Sequence, residues 1–175
     1  VPSAQNLAMR MTSVDFVAKM IEQQAVSRDL VILNPWYYGV SFSRYYRGSA
    51  PWMTFPALRE NAIHRYDLLK ENMIRPETIS EDIARISSTL QQGGRVWLVS
   101  DAASSSSKLF VAPLPPAPLP STGWSSAPYT DNWSGQLMSV LHAHSHQVTI
   151  LPFRSPQAIN PLEALQVTIF RGWIP

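Results

Sequence analysis

Leu30-Val31-Ile32-Leu33 is the stretch that decides the fold class, because four consecutive aliphatic residues suit a strand covered on both faces. A strand with one face in solvent would alternate apolar and polar residues instead. Before this stretch, Thr12 and Ser13 can cap a helix over residues 13–26, whose apolar positions recur at helical spacing. A helix that leads into a strand buried on both faces indicates an α/β sheet.

The elements that follow this strand extend the same pattern. A short β-prone segment lies at 52–55, and helical spacing predicts helices over 61–72 and 79–90. Gly93-Gly94 ends the second of these helices, and a further apolar strand follows at 95–101. A helix that enters a buried strand through glycines is typical of the crossover connections of a parallel sheet.

The C-terminal third adds a helix and two strands. A capping Asp131 or Asn132 predicts a helix that ends near His146, and strands are expected at 147–151 and 166–173. Because the link between these strands is short, they should be antiparallel neighbours at one edge of the sheet. We therefore predict an α/β fold that is layered, with a mainly parallel, Rossmann-like sheet and an antiparallel edge hairpin.

Length and composition favour a single domain over residues 1–175, with one long loop. Segment 102–130 contains four consecutive serines and the run PLPPAPLP at 113–120, which suits neither a helix nor a central strand. We expect a Ser/Pro-rich loop there. Loops of that length in compact domains are usually functional or mobile.

Charge and cysteine content narrow the function classes. The net charge is only +2 and the basic residues are scattered, so we expect no nucleic-acid partner. The absence of cysteine excludes disulfides, thiolate catalysis and cysteine-based zinc sites. No run approaches the ~20 apolar residues that span a bilayer. Because the sequence opens on Val1, we expect it to be part of a longer polypeptide.

An aromatic segment at 34–52 follows the first strand directly. It carries seven of the 18 aromatic residues of the chain, together with Arg44 and Arg47. Tyrosine and tryptophan suit surfaces that must be both apolar and wettable. We predict a long loop here, and the end of a strand is where open α/β sheets place their ligand sites.

Catalytic and cofactor motifs are not evident. There is no Gly-x-Ser-x-Gly elbow, and Asn-Pro-Trp stands where a glycine-rich phosphate loop would follow Leu33. His142 and His146 have the i, i+4 spacing of zinc ligands but lack a neighbouring carboxylate. We read the segment 64–67, His-Arg-Tyr-Asp, as the polar face of a helix. The sequence thus predicts no catalytic residue, no cofactor and no metal site.

Six blocks of sequence carry a resemblance to a known family. The blocks are residues 29–37, 41–46, 50–52, 64–67, 94–99 and 160–163. Their order resembles the soluble, extracytoplasmic C-terminal region of bacterial polytopic membrane glycosyltransferases of the protein-mannosyltransferase and aminoarabinose-transferase type. The resemblance covers roughly residues 10–175.

The resemblance implies a non-catalytic accessory domain on the extracytoplasmic, periplasmic face of the membrane. In that family the sugar is carried on a polyprenyl phosphate, and the catalytic acids lie near the first membrane helices, outside this chain. The implied partners are the membrane-embedded part of the same polypeptide and a glycan or polyprenyl-phosphate sugar. Two alternatives stay open: a free-standing module that binds a small ligand such as a glycan or phosphate, and a stand-alone enzyme of unknown reaction.

The candidate ligand contacts come mainly from the aromatic segment. Aromatic faces stack on sugar rings, and arginine binds phosphate or carboxylate through two parallel hydrogen bonds. The candidates are Asn34, Trp36, Tyr37, Arg44, Tyr45, Tyr46, Arg47 and Asp101. An alternative is that most of these rings anchor a loop to the core, and that Asp101 only begins a turn.

Overall fold

A computed structural model describes residues 12–75, 77–101, 112–152, 158–160 and 164–175. In these ranges the helices are α1 (Val14–Gln24), α2 (Tyr38–Tyr45), α3 (Tyr66–Met73), α4 (Ser80–Gln91) and α5 (Ala127–His144). The strands are β1 (Leu30–Leu33), β2 (Trp52–Thr54), β3 (Val96–Asp101), β4 (Gln147–Leu151) and β5 (Leu165–Arg171).

The five strands form one mixed sheet in the order β2-β1-β3-β5-β4. Strand β1 pairs in parallel with β2 and β3, whereas β5 pairs antiparallel with both β3 and β4. The prediction of an α/β fold with parallel strands and an antiparallel edge hairpin is therefore confirmed. The parallel part comprises three strands, and half of the strand pairings are antiparallel.

Both faces of the central strands are covered by apolar side chains. All four residues of β1 are at most 1% exposed. Leu30 and Ile32 belong to a first core cluster with side chains of α3, α4 and α5. Val31 and Leu33 belong to a second core cluster with side chains of α1 and α2. Because neighbouring residues of a strand point to opposite faces, an unbroken aliphatic run is what this position requires.

The turn from α4 into β3 also follows the prediction. Gly93 has a φ of 75°, in the left-handed region where a residue with a Cβ is strained. Its N–H donates to the carbonyl of Leu90 at 3.1 Å, and that of Gly94 donates to the carbonyl of Thr89 at 2.9 Å. These bonds satisfy the last carbonyls of α4 and direct the chain into the central strand.

The prediction that residues 34–52 form a long loop is wrong, because this segment contains helix α2. Tyr38 and Phe42 are buried members of the second core cluster at i, i+4 spacing. The residue before the helix is Tyr37, which makes no side-chain capping bond. The sequence therefore lacks a capping residue that would mark the start of α2. The many aromatic residues also hide the helical spacing of its buried positions.

Two other helices begin elsewhere than predicted. Helix α3 starts at Tyr66 rather than at residue 61, and residues 61–65 are turns and irregular backbone. Helix α5 starts at Ala127 rather than at residue 131 or 132, with a proline in its first turn, where the missing N–H is tolerated. The predicted loop at 102–130 is thus helical from residue 127. Its residues 102–111 lie outside the described part.

Gly39 allows α2 to lie close against the segment that follows β2. A Cβ at this position would meet Cγ2 of Thr54 too closely, and would lie 2.7 Å from Oδ1 of Asn61. We expect Gly39→Ala to lower the free energy of unfolding by about 1–3 kcal/mol in urea unfolding, because overpacking outweighs the better helix propensity of alanine. Arg44→Ala, at an exposed position of the same helix, should change it by less than about 0.5 kcal/mol. Equal stability of Gly39→Ala and the parent would refute this close packing.

Candidate functional site

The candidate site lies where the carboxyl ends of β1 and β3 are adjacent. From β1 the chain turns through α2 to β2 on one side, and after β3 it continues to β4 and β5 on the other. The strand order therefore reverses between β1 and β3, and open α/β sheets bind ligands at such a point. Asn34 directly follows β1, and Asp101 is the last residue of β3.

Asn34 is fixed by two hydrogen bonds, whereas its side-chain nitrogen makes none with the residues that the structure describes. Its N–H donates to the carbonyl of Val99 at 2.9 Å, and its Oδ1 accepts a hydrogen bond from Oγ of Ser134 at 2.9 Å. The side-chain Nδ2 is buried and has no hydrogen-bond partner among the residues that the structure describes. A buried donor without a partner costs roughly 1–3 kcal/mol, so an acceptor on a ligand or a water would stabilise this arrangement.

Four rings, which we call the aromatic cluster, gather where α2 and α3 begin: Trp36, Tyr37, His64 and Tyr66. Trp36 is buried and meets Tyr66 edge-on at 5.1 Å between ring centroids, and His64 at 5.9 Å. His64 Nε2 lies 3.2 Å from the carbonyl oxygen of Tyr37. The rings of Tyr37 and Tyr66 are 39% and 58% exposed. The cluster therefore joins a fixed tryptophan to accessible phenol rings.

Charged side chains border the aromatic cluster at the start of α3. Arg65 donates from Nε and Nη2 to the two carboxylate oxygens of Asp67, at 2.8 and 2.6 Å, and also pairs with Glu60. The hydrogen bonds from Arg65 hold the pKa of Asp67 at about 2. Asp67 is consequently an ionised, oriented acceptor at neutral pH.

The arginine candidates lie at the other end of α2. The Arg47 guanidinium donates to the carbonyl oxygens of Ser43 at 3.1 Å, Arg44 at 2.8 Å and Tyr46 at 2.6 Å. It therefore caps the C-terminal end of α2, and its backbone N–H donates to Oε1 of Glu22 in α1. Because the Arg47 guanidinium is hydrogen-bonded to three carbonyl oxygens, it stabilises the fold and is a poor candidate for a ligand contact.

The remaining members of that group divide between core and surface. Tyr46 is buried, stacks on Phe42 with centroids 4.7 Å apart, and donates its hydroxyl to the carbonyl of Ala50 at 3.0 Å. Burial raises the pKa of the Tyr46 phenol, which stays a neutral donor. Arg44 and Tyr45 are exposed. The structure thus separates 44–47 from Asn34, Trp36 and Tyr37 by the length of α2, which is roughly 12 Å for eight residues.

Sequence reasoning missed three residues of the site. Ser134 lies 100 positions from Asn34 and is brought to it by α5. His64 and Tyr66 were assigned to the polar face of a helix, but His64 precedes α3 and Tyr66 is its first residue. The signal available for the last two was the presence of two rings in a short polar segment.

The C-terminal histidines have local packing partners. His142 meets Phe170 edge-on at 5.5 Å, and His144 stacks on Trp173 at 4.6 Å, with its Nδ1 2.8 Å from the carbonyl oxygen of Ile174. Over the described ranges, no three histidine or acidic side chains gather closely enough to hold a metal ion. Within the same ranges, no helix has the length and hydropathy to cross a membrane.

Comparison with protein families, with curated proteins and with solved structures gives no match. The resemblance to membrane glycosyltransferases rests on the sequence blocks alone.

Proposed function

We propose that this chain is a non-catalytic accessory domain of a membrane glycosyltransferase, and that it contacts the acceptor or the lipid-linked sugar. In this proposal it lies on the extracytoplasmic, periplasmic face of the membrane, against the membrane-embedded part of the same polypeptide. We further propose that the sheet and its flanking helices are a layered, Rossmann-like arrangement, since the order β2-β1-β3 contains a strand-order reversal of the kind that such sheets use for binding.

The observation that carries the proposal is the aromatic cluster, in which the buried ring of Trp36 contacts two accessible phenol rings, those of Tyr37 and Tyr66. A sugar ring presents an apolar C–H face, which packs on aromatic rings, and hydroxyl groups, which exchange hydrogen bonds with phenol hydroxyls. Tyr37 and Tyr66, which are 39% and 58% exposed, supply both contacts. Both lie at the carboxyl edge of the parallel strands, where ligands reach the sheet.

These groups bind and orient a ligand without a chemical step. The phenol hydroxyls donate and accept hydrogen bonds, and the Asn34 amide and the Ser134 hydroxyl bond to each other. The geometry favours this edge over the 44–47 region, because Arg47 already caps α2 and Tyr46 is buried.

Saccharide titration tests the binding site. We expect Tyr66→Ala to weaken binding of a monosaccharide about tenfold, equivalent to ~1.4 kcal/mol, because one stacking face is lost. Calorimetry with glucose, mannose and N-acetylglucosamine would measure this. Tyr45→Ala is the matched control, since Tyr45 is 51% exposed at the far end of α2. Equal weakening by both substitutions, or no saturation with any sugar, would contradict the site.

The attachment to a membrane protein has a separate test. The complete reading frame should extend upstream through several apolar segments of ~20 residues each. A frame that encodes only this domain would favour the free-standing binding module instead.

A further inference from the structure

A surface depression, which we call the groove, lies along the exposed side of α3. Asp67, Lys70 and Glu71 of this helix line it, together with Ile74 just after the helix and Trp124 from the segment before α5. Its volume is about 390 Å³. Sites for small ligands are commonly clefts of roughly 300–1,000 Å³, so the depression is large enough for a ligand.

The lining of this groove combines apolar area with both kinds of hydrogen-bonding group. Trp124 and Ile74 are 50% and 49% exposed, so both can contact a ligand. The carboxylates of Asp67 and Glu71 accept hydrogen bonds, and the ammonium of Lys70 donates them. A pyranose needs this combination, because its hydroxyls both donate and accept while its C–H face is apolar.

The charges of the groove favour a neutral ligand. Asp67 is paired with Arg65 at 2.6 Å, and Glu71 lies 3.4 Å from Arg59. Arg65 also pairs with Glu60, so with Lys70 added the three positive and three negative side chains balance, and neither an anionic nor a cationic ligand gains a net attraction.

The groove continues from the aromatic cluster. Tyr66 is the first residue of α3 and directly precedes Asp67, which lines the groove. Tyr66, Lys70 and Ile74 follow at i, i+4 spacing, so they lie along one side of the helix. Eight residues of helix correspond to ~12 Å, which is longer than a single pyranose ring.

We propose that the aromatic cluster and this groove form one extended surface that binds an oligosaccharide, with one sugar ring at Tyr66 and another on the indole of Trp124. This proposal rests on the function proposed above and adds the ligand class. The two parts have separate contacts: Tyr37 and Tyr66 hold the first ring, whereas Trp124, Lys70 and Glu71 hold the more distant one.

Titration with sugars of increasing length tests the extended surface. The intact chain would be titrated with mannose, glucose and N-acetylglucosamine and with their linear di-, tri- and tetrasaccharides. We expect the tetrasaccharide of the preferred sugar to bind about tenfold more tightly than the monosaccharide, because a second ring stacks on Trp124. Trp124→Ala should remove this increment and leave monosaccharide affinity unchanged. Tyr66→Ala should weaken both ligands, and Tyr45→Ala neither.

The outcomes separate this inference from the proposed function. Monosaccharide binding that depends on Tyr66, with no gain for longer sugars, would overturn the extended surface and leave the first site standing. Length-dependent binding that Trp124→Ala abolishes and Tyr66→Ala leaves unchanged would overturn the extended surface, because the groove would then bind without the aromatic cluster. Failure of every saccharide would overturn both. If Trp124 instead mediates binding to vesicles of phosphatidylethanolamine and phosphatidylglycerol, and no sugar binds, the groove contacts a membrane and the inference is wrong.

Discussion

Asp29→Ala is expected to lower the free energy of unfolding by about 3–5 kcal/mol, the loss typical when one partner of a buried ion pair is removed. The Asp29 carboxylate is buried and accepts five hydrogen bonds. Its donors are the backbone N–H groups of Val26 at 3.0 Å and Arg95 at 2.9 Å, Arg95 Nε and Nη2 at 3.0 and 2.6 Å, and Trp97 Nε1 at 3.2 Å. Alanine leaves all of these donors without their acceptor.

The position of Asp29 explains why the effect should reach the whole fold. Asp29 directly precedes β1, and Arg95 directly precedes β3, so the ion pair joins the amino ends of two central strands. Arg95 also donates to the carbonyl oxygen of Gln24 at 2.6 Å, and its guanidinium lies 4.9 Å from the ring centre of Trp97. The pair thus connects the end of α1 to the sheet.

The pH dependence of stability identifies the charge as the cause. Burial alone would raise the pKa of Asp29, but the hydrogen bonds from Arg95, Val26 and Trp97 outweigh it, and the pKa lies below its ordinary value of 3.8. The unfolded chain therefore binds this proton at higher pH than the folded chain does. The stability that Asp29 supplies is fully present above its ordinary pKa, and it is lost as the pH falls from there through the folded value.

Urea unfolding between pH 6 and pH 3 measures this contribution. Stability of the parent should fall below about pH 4, and Asp29→Asn should be less stable at pH 6 with a flatter decline. Asp131→Asn is the control, because Asp131 is exposed. Parallel curves for the parent and Asp29→Asn would show that the charge of Asp29 does not contribute.

The elements that the sequence predicted well are those whose local pattern and tertiary environment agree. Strands β1 and β3 lie between two core clusters, so their continuous apolar runs identified them. Strands β4 and β5 were found within one or two residues, because both are rich in β-branched residues and turn residues mark the short link between them. Gly93 marked the end of α4 for a conformational reason that does not depend on distant contacts, whereas Gly94 also leaves room for the carbonyl oxygen of Arg28.

The elements that were missed depend on contacts across the chain. Helix α2 lacks a side-chain cap and is stabilised by burial of Tyr38 and Phe42 in the second core cluster, where Phe42 meets Trp52 of β2 edge-on, and local propensity does not contain such contacts. The same limitation applies to the site. The hydrogen bond between Ser134 and Asn34 joins residues 100 positions apart, and the ring of Tyr66 meets Trp36 across 30 positions.

The second large effect is expected at Trp36, whose replacement by alanine should lower the free energy of unfolding by about 3–5 kcal/mol. The sequence left two interpretations of this residue open, a ligand contact or an anchor of the aromatic segment. Trp36 is only 3% exposed and belongs to the first core cluster. Its removal leaves a cavity beneath Tyr66 and His64, the rings that it contacts edge-on.

Tyr37 provides the matched comparison, because it neighbours Trp36 but is 39% exposed. Tyr37→Ala should change the free energy of unfolding by less than about 1 kcal/mol and still weaken sugar binding, since an exposed ring loses ligand contact but little core packing. Trp36→Phe should recover part of the stability that Trp36→Ala loses, because it leaves a smaller cavity. Urea unfolding and saccharide titration of the three variants would separate anchor from contact. A stable Trp36→Ala variant that no longer binds sugar would instead make Trp36 a direct contact and the exposed rings secondary.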